Sequence, residues 1–208
     1  MNLSLKSSII HHGNYIDVYP TPNKSEAIIK EELKIPQGSI LLTYIGAIRP
    51  YKGLEKLITA FNQLEAANIY LLIAGKAMPS NYKDDILKKI NEHDRIKTNF
   101  SFLNDQDLVN YLSASNVMCI PFSDTLTSGS TILAMSHSLP LILPNNAKVF
   151  GCVPKGGVQY FNTIEELTAI LNKLELEHLN TSGEKNYTKA KEMDWSSVAR
   201  LTIRCYLQ

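Results

Sequence analysis

No excess of either charge marks this chain: 21 lysines and arginines stand against 20 aspartates and glutamates. An overall basic field of the kind that attracts nucleic acid or an anionic bilayer is therefore excluded, and any phosphate recognition has to be local. Long apolar runs are missing too. None approaches the roughly 18 residues needed to cross a bilayer, and the start Met1-Asn-Leu-Ser-Leu-Lys6 lacks the layout of a secretory leader, so a cytoplasmic protein is expected. Cysteine is scarce, occurring only at 119, 152 and 205. Their spacing suits neither a metal site nor a redox pair, which leaves inert thiols in a reducing compartment. No His/Cys/Asp/Glu cluster has metal spacing either, so no metal is expected. Neither a Walker A sequence nor Gly-x-Gly-x-x-Gly follows any apolar run, which argues against an ATPase or a dehydrogenase. What is present is 44% apolar content over 208 residues, ample for a substantial core in one large domain or two small ones.

Read in order, short apolar runs alternate with helical stripes. Tyr19-Pro-Thr-Pro22 opposes regular structure and closes a linker over 1–22. Asn23 with Glu26 forms a capping-box pattern for a helix to about Leu33, stopped by Pro36. Ser39–Ile45 and Ile69–Ala74 read as buried strands, each followed by an amphipathic helix, the first with Leu54, Leu57, Ile58, Phe61 and Leu64 on one face. Phe100–Leu103 reads as a third strand, Asn104 with Asp107 as the cap of the next helix, and Val117–Pro121 as a fourth strand. Leu139–Leu143 and Val158–Phe161 would be further strands, and Thr163 with Glu166 boxes a helix to about Leu174. Parallel strands need crossovers of about a dozen residues, so this alternation predicts an α/β fold. It would be a doubly wound, Rossmann-like parallel sheet of about six strands with helices on both faces, spanning 23–182. From Gly183 to the end, one or two helices should brace the sheet or reach towards a neighbour, with Trp195 as a core residue.

Two loops carry the candidate chemistry. Gly46-Ala-Ile-Arg-Pro-Tyr-Lys-Gly53 follows a strand and brings Arg49 and Lys52 beside glycines that admit close backbone approach. The second loop runs from Pro121 to Thr127, Ser128, Gly129, Ser130 and Thr131 at the start of a helix carrying Ile132, Leu133 and Met135. There helix-start amides, hydroxyls and the helix dipole can converge on an anion. In doubly wound sheets ligands sit beyond the carboxyl ends of strands, and both loops lie there, so they could clamp a diphosphate between cations and amides. Plain N-capping and solvated surface cations are the competing readings. His137, with no orienting carboxylate in view, reads as non-catalytic; His93 and His178 read as solvated, and His11 and His12 belong to the linker. Lys155-Gly-Gly157 reads as a surface turn.

Taken together, Gly46–Gly53, Leu72-Ile-Ala-Gly75, Phe102-Leu-Asn-Asp105, Val117–Pro121 and Ser128–Ser136 followed by Pro140 resemble the C-terminal half of group 1 nucleotide-sugar-dependent glycosyltransferases. The resemblance covers about residues 9 to 206. It implies one half of a GT-B enzyme, in which this Rossmann-like domain binds the nucleotide-sugar donor and an N-terminal domain binds a glycan or lipid-linked acceptor. Transfer would proceed with retention, with no metal and no cofactor beyond the donor, possible membrane contact arising only through the other domain at the inner face. Position by position, the resemblance makes Lys52 the diphosphate-binding lysine, with Arg49 standing in for an arginine the family has where this chain has Ala47. Gly46 would give close backbone approach, Phe102 and Leu103 a wall of the base pocket, and Ser128 to Thr131 the phosphate cradle, with Gly75 also in the donor-binding set and Lys155-Gly-Gly157 as either the family's glycine-rich loop closing over the donor or a plain surface turn. Two family glutamates are replaced by Thr125 and Leu133, Asp124 being a candidate substitute for the first. A non-catalytic Rossmann-like binding or assembly module is the alternative expectation.

Overall fold

The computed structural model describes residues 10, 12–122, 129–146 and 153–207. The apolar runs form six parallel strands: β1 (Ile40–Ile45), β2 (Ile69–Ala74), β3 (Ile96–Asn99), β4 (Val117–Cys119), β5 (Leu141–Pro144) and β6 (Val158–Phe161). Between and around them run α1 (Glu26–Glu32), α2 (Leu54–Asn62), α3 (Tyr82–Ile90), α4 (Asp105–Ala114), α5 (Gly129–Ser136), α6 (Ile164–Asn172), α7 (Leu176–Lys191) and α8 (Trp195–Tyr206). Strand order is β3-β2-β1-β4-β5-β6, so the winding reverses between β1 and β4. Along β1, side chains alternate between two apolar layers. Ile40, Leu42 and Tyr44 pack with α2, α3 and α6, while Leu41 and Ile45 pack with α1, α4, α5 and α7. All six residues of β1 are buried, and each large aliphatic side chain so covered contributes roughly 1.5–3 kcal/mol over an exposed one.

The amino ends of the strands are closed by side-chain clamps. Lys30, buried in α1, donates to the Ser39 carbonyl at 2.6 Å and pairs with Glu26 at 2.5 Å. Asn116 accepts from the Leu41 N–H at 2.7 Å, and Arg95 donates to the carbonyl of Ala66. Asn186 of α7, wholly buried, divides its Nδ2 between the carbonyls of Leu139 and Gly157, each at 2.8 Å.

Several expectations need correcting. The third strand is Ile96–Asn99, not Phe100–Leu103. It is an edge strand with Ile96 as its one buried residue, so it lacks the apolar run of a covered strand, and Phe102 is 80% exposed in the segment after it. The cap of α1 is Ser25, accepting from the Ile28 N–H, because Asn23 is held by Asn110 of α4, which accepts from its backbone N–H at 3.0 Å and donates to its side chain at 2.9 Å. The boundary expected at 182/183 falls inside α7, where Gly183 lies against the Ser138 carbonyl too closely for any side chain. Trp195 is not core: no residue of α8 is buried, and the indole is 51% exposed. His93 is not simply solvated but rests edge-on against Phe61, with centroids 5.4 Å apart. Among the described residues, no helix is long and apolar enough to cross a membrane.

Candidate functional site at the strand reversal

The reversal between β1 and β4 opens the crevice in which doubly wound sheets hold ligands, and the loops after these two strands meet over it. The first leaves β1 at Gly46, whose φ of 133° suits glycine alone. Gly75, at the equivalent exit from β2, has φ 140°, and a Cβ there would strike the Gly46 carbonyl, so the two backbones lie directly against each other. The loop is tied down further by Ile48, whose N–H donates to Lys76 and whose carbonyl accepts from Met78, at 2.9 and 2.8 Å. A 3-10 turn over Pro50–Lys52 then swings Lys52 back over the crevice.

The second loop arrives at the same place. The Pro121 carbonyl abuts Gly53, and the Lys52 ammonium lies 5.7 Å from the Phe122 ring centroid. On the open side of Gly46, the point where a Cβ would stand is 3.8 Å from Ser130 Oγ and 4.0 Å from Lys52 Nζ. Gly46, Lys52 and Ser130 therefore face one small volume, bounded by a backbone with no side chain, a cation and a helix start.

Electrostatically the site is strained towards anions. Burial, followed by the Arg49 guanidinium, holds the Lys52 pKa below its ordinary value. The Nε of Arg49 is buried without a hydrogen-bond partner among the described residues. Two neighbouring cations that are partly dehydrated and under-paired gain from a ligand bearing two or more negative charges.

Of the other residues expected here, Gly129 begins α5 and Thr131 is buried in its first turn. Thr125, Asp124, Thr127 and Ser128 lie outside the described residues, as do His11 and Cys152. Phe102 and Leu103 follow β3, two strands out at the sheet edge, with Phe102 open to solvent and Leu103 packed on the α4–α5 layer. Leu133, half-buried, joins the same layer. His137 follows the far end of α5, a helix length from the cluster; burial lowers its pKa, which favours the neutral ring. Lys155 and Gly156 form an exposed turn, whereas Gly157 packs against Asn186.

Two residues that sequence reasoning passed over join the site. One is Phe122, beneath the Lys52 ammonium. The other is Tyr15 from the linker, whose hydroxyl reaches Gly129. The aromatic pair Tyr15 and Tyr19, stacked at 6.0 Å, was the available signal in a segment otherwise read as a spacer.

Comparison with known proteins identifies the fold and the family. The chain is 24% identical over 202 residues to a GDP-mannose:glycolipid 4-beta-D-mannosyltransferase of Xanthomonas campestris pv. campestris, covering 96% of this chain and 54% of that protein. It thus spans about half the length of that curated relative. Among solved structures, HepE of Anabaena in complex with UDP-glucose superimposes with a TM-score of 0.80 at 16% identity, over 96% of this chain and 57% of that one. The C-terminal domain of a glycosyl transferase group 1 family protein from Francisella tularensis gives a TM-score of 0.67 at 13% identity, over 83% of this chain and 94% of that one. The six-stranded parallel sheet with helices on both faces is one half of the GT-B architecture. Residues 25–186 match the family Glycosyl transferases group 1, and the chain belongs to that family.

Proposed function

We propose that this chain is the donor-binding half of a glycosyltransferase that moves a sugar from a nucleoside diphosphate to a glycan or lipid-linked acceptor. The observation that carries the reading is the convergence of Gly46, Lys52 and Ser130 at the strand reversal, beside the under-paired Arg49. In the reaction the bond from the anomeric carbon to the diphosphate oxygen breaks and one to an acceptor oxygen forms. The acceptor hydroxyl gives up its proton to the departing diphosphate oxygen. Lys52 and Arg49 stabilise the charge that grows on the departing diphosphate, where fixed cations act most strongly. Ser130 and the α5 amides hold a phosphate oxygen, and Phe102 and Leu103 border the base. An acceptor-binding N-terminal domain completes the enzyme and, for a lipid-linked acceptor, brings the site to the inner face of the membrane. The name of the Xanthomonas relative favours a guanosine donor and a glycolipid acceptor, while the Anabaena complex favours uridine.

A thermal-shift and calorimetric panel of guanosine, uridine and adenosine diphosphates tests the reading. One of them should give a saturable response without turnover of the matching nucleotide sugar, and silence across the panel would refute it. A second reading, a binding or assembly module without donor recognition, is favoured by one observation. Leu133 occupies the position at which the resemblance places a ribose-binding carboxylate, and it is joined to the apolar layer. A carboxylate hydrogen bond of that kind is worth about 1.5–3 kcal/mol, so the same titrations decide between the two.

A further inference from the structure

The linker residue Tyr15 lies along α5 from one end to the other. Its backbone N–H donates to Ser136 Oγ in the last turn at 2.9 Å, and Ser136 Oγ in turn donates to the Ile132 carbonyl at 2.8 Å. At the opposite end, the Tyr15 hydroxyl stands 3.2 Å from the point a Cβ on Gly129 would occupy, closer than ordinary van der Waals contact. The ring is flanked by Tyr19 at 6.0 Å and His12 at 5.3 Å between centroids.

The backbone on which this side chain is mounted is anchored elsewhere. The Asn14 N–H donates to the Met193 carbonyl at 2.8 Å, and its Nδ2 donates to Ala190 at 2.9 Å. The Asn14 carbonyl accepts from the Trp195 indole at 2.9 Å. The indole covers Gly13 and meets His12 edge-on at 5.2 Å. A rigid phenol therefore bridges the linker, fixed to the junction of α7 and α8, and the first turn of the helix that presents Ser130 to Lys52.

We propose that Tyr15 is a positioning residue for the donor site, a strut that sets the first turn of α5 at the distance from Gly46 and Lys52 at which one phosphate is shared. This rests on the donor-binding reading above. Tyr15 acts through Gly129 and Ser130 rather than on the sugar. Because strut and indole share the Gly13–Asn14 backbone, occupancy of the site is transmitted to Trp195. The fit between the hydroxyl and Gly129 is steric, so it is tested by filling and emptying one small space. Ala at 129 brings a methyl group against the hydroxyl, Phe at 15 removes the oxygen, and the two changes together restore the volume.

The experiment is a double-mutant cycle in the 208-residue chain, reading the dissociation constant of the best-binding nucleoside diphosphate, the melting temperature and Trp195 emission. Gly129→Ala is expected to weaken binding about tenfold and Tyr15→Phe about threefold, while Tyr15→Phe with Gly129→Ala returns to within about threefold of the unaltered chain. The methyl added by Gly129→Ala crowds the hydroxyl and lowers the melting temperature, and Tyr15→Phe with Gly129→Ala restores it; the positioning role is read from the dissociation constants, each measured below the melting temperature of its variant. The one tryptophan of the chain is Trp195, so its emission reports this linker alone. Nucleotide should change that emission in the unaltered chain and leave it unchanged in Tyr15→Ala, measured below that variant's melting temperature. No binding of any nucleoside diphosphate by the unaltered chain overturns the donor-site reading and this role with it. Binding that is the same in both single variants and in the double variant, or an emission response that survives in Tyr15→Ala, overturns the role of Tyr15 alone.

Discussion

The two ends of the sheet are built on opposite principles. At the amino ends of the strands, buried or half-buried polar side chains are given partners: Lys30 on Ser39, Asn116 on Leu41, Arg95 on Ala66, and the Nδ2 of Asn186 on Leu139 and Gly157, while Asn186 Oδ1 is buried without a partner among the described residues. At the carboxyl ends, Arg49 keeps a buried nitrogen without a partner among the described residues, Lys52 is held in a setting that disfavours its charge, and Tyr51 and Phe102 stand 65% and 80% exposed. One end pairs most of these groups and so contributes stability. The other leaves charge and surface unsatisfied, which costs stability and is repaid only when something binds. The contrast is what makes the carboxyl ends the candidate ligand end.

Substitutions at each end should separate stability from binding. The largest effect belongs to the closed end. Asn186→Ala removes the donor shared by two carbonyls and opens a cavity, and chemical denaturation should show a loss of about 3 kcal/mol, with nucleotide affinity unchanged in the folded protein. Lys52→Met should do the reverse. It removes a partly dehydrated cation, so the melting temperature holds or rises, while calorimetry shows nucleotide affinity falling at least tenfold, or about 1.4 kcal/mol. Equal losses of stability in the two variants would dissolve the distinction between the ends. The smallest effect is with pH. An anion selects the protonated lysine, whose pKa in the free protein lies below the usual 10.5, so affinity is full below that lowered value and declines as pH rises through it. Titrations at rising pH above about 8, where a diphosphate is already fully ionised, should show this decline setting in below 10.5 in the unaltered chain and not in Lys52→Met.

Much of the scaffold was legible because buried parallel strands announce themselves as uninterrupted apolar runs. Ile69–Ala74 and Val158–Phe161 were read to the residue, and the caps at Asn104 and Thr163 follow from short-range chemistry. β3 escaped because an edge strand needs little apolar surface, and Phe100–Leu103 misled because an apolar segment can serve a cleft rather than a core. Trp195 misled for a related reason: α8 has no layer above it, so helical periodicity marked an apolar face without a buried one. In the site, Gly46, Lys52 and Ser130 were legible from loop chemistry at strand ends. Tyr15 was not, since its partner Gly129 lies more than a hundred positions away in the sequence and nothing local connects them.

One consequence of the strand order concerns assembly of the fold. β3-β2-β1 and β4-β5-β6 are each wound from neighbouring stretches of chain, and the strand register joining the two triplets along β1 and β4 consists of the pairs Leu42–Val117 and Thr43–Met118. β1 and β2, by comparison, share six. The cluster of Gly46, Lys52 and Ser130 spans that short seam, one wall on each triplet, so it does not exist until the seam has closed. A ligand seated there would fasten the two triplets together across a short strand pairing.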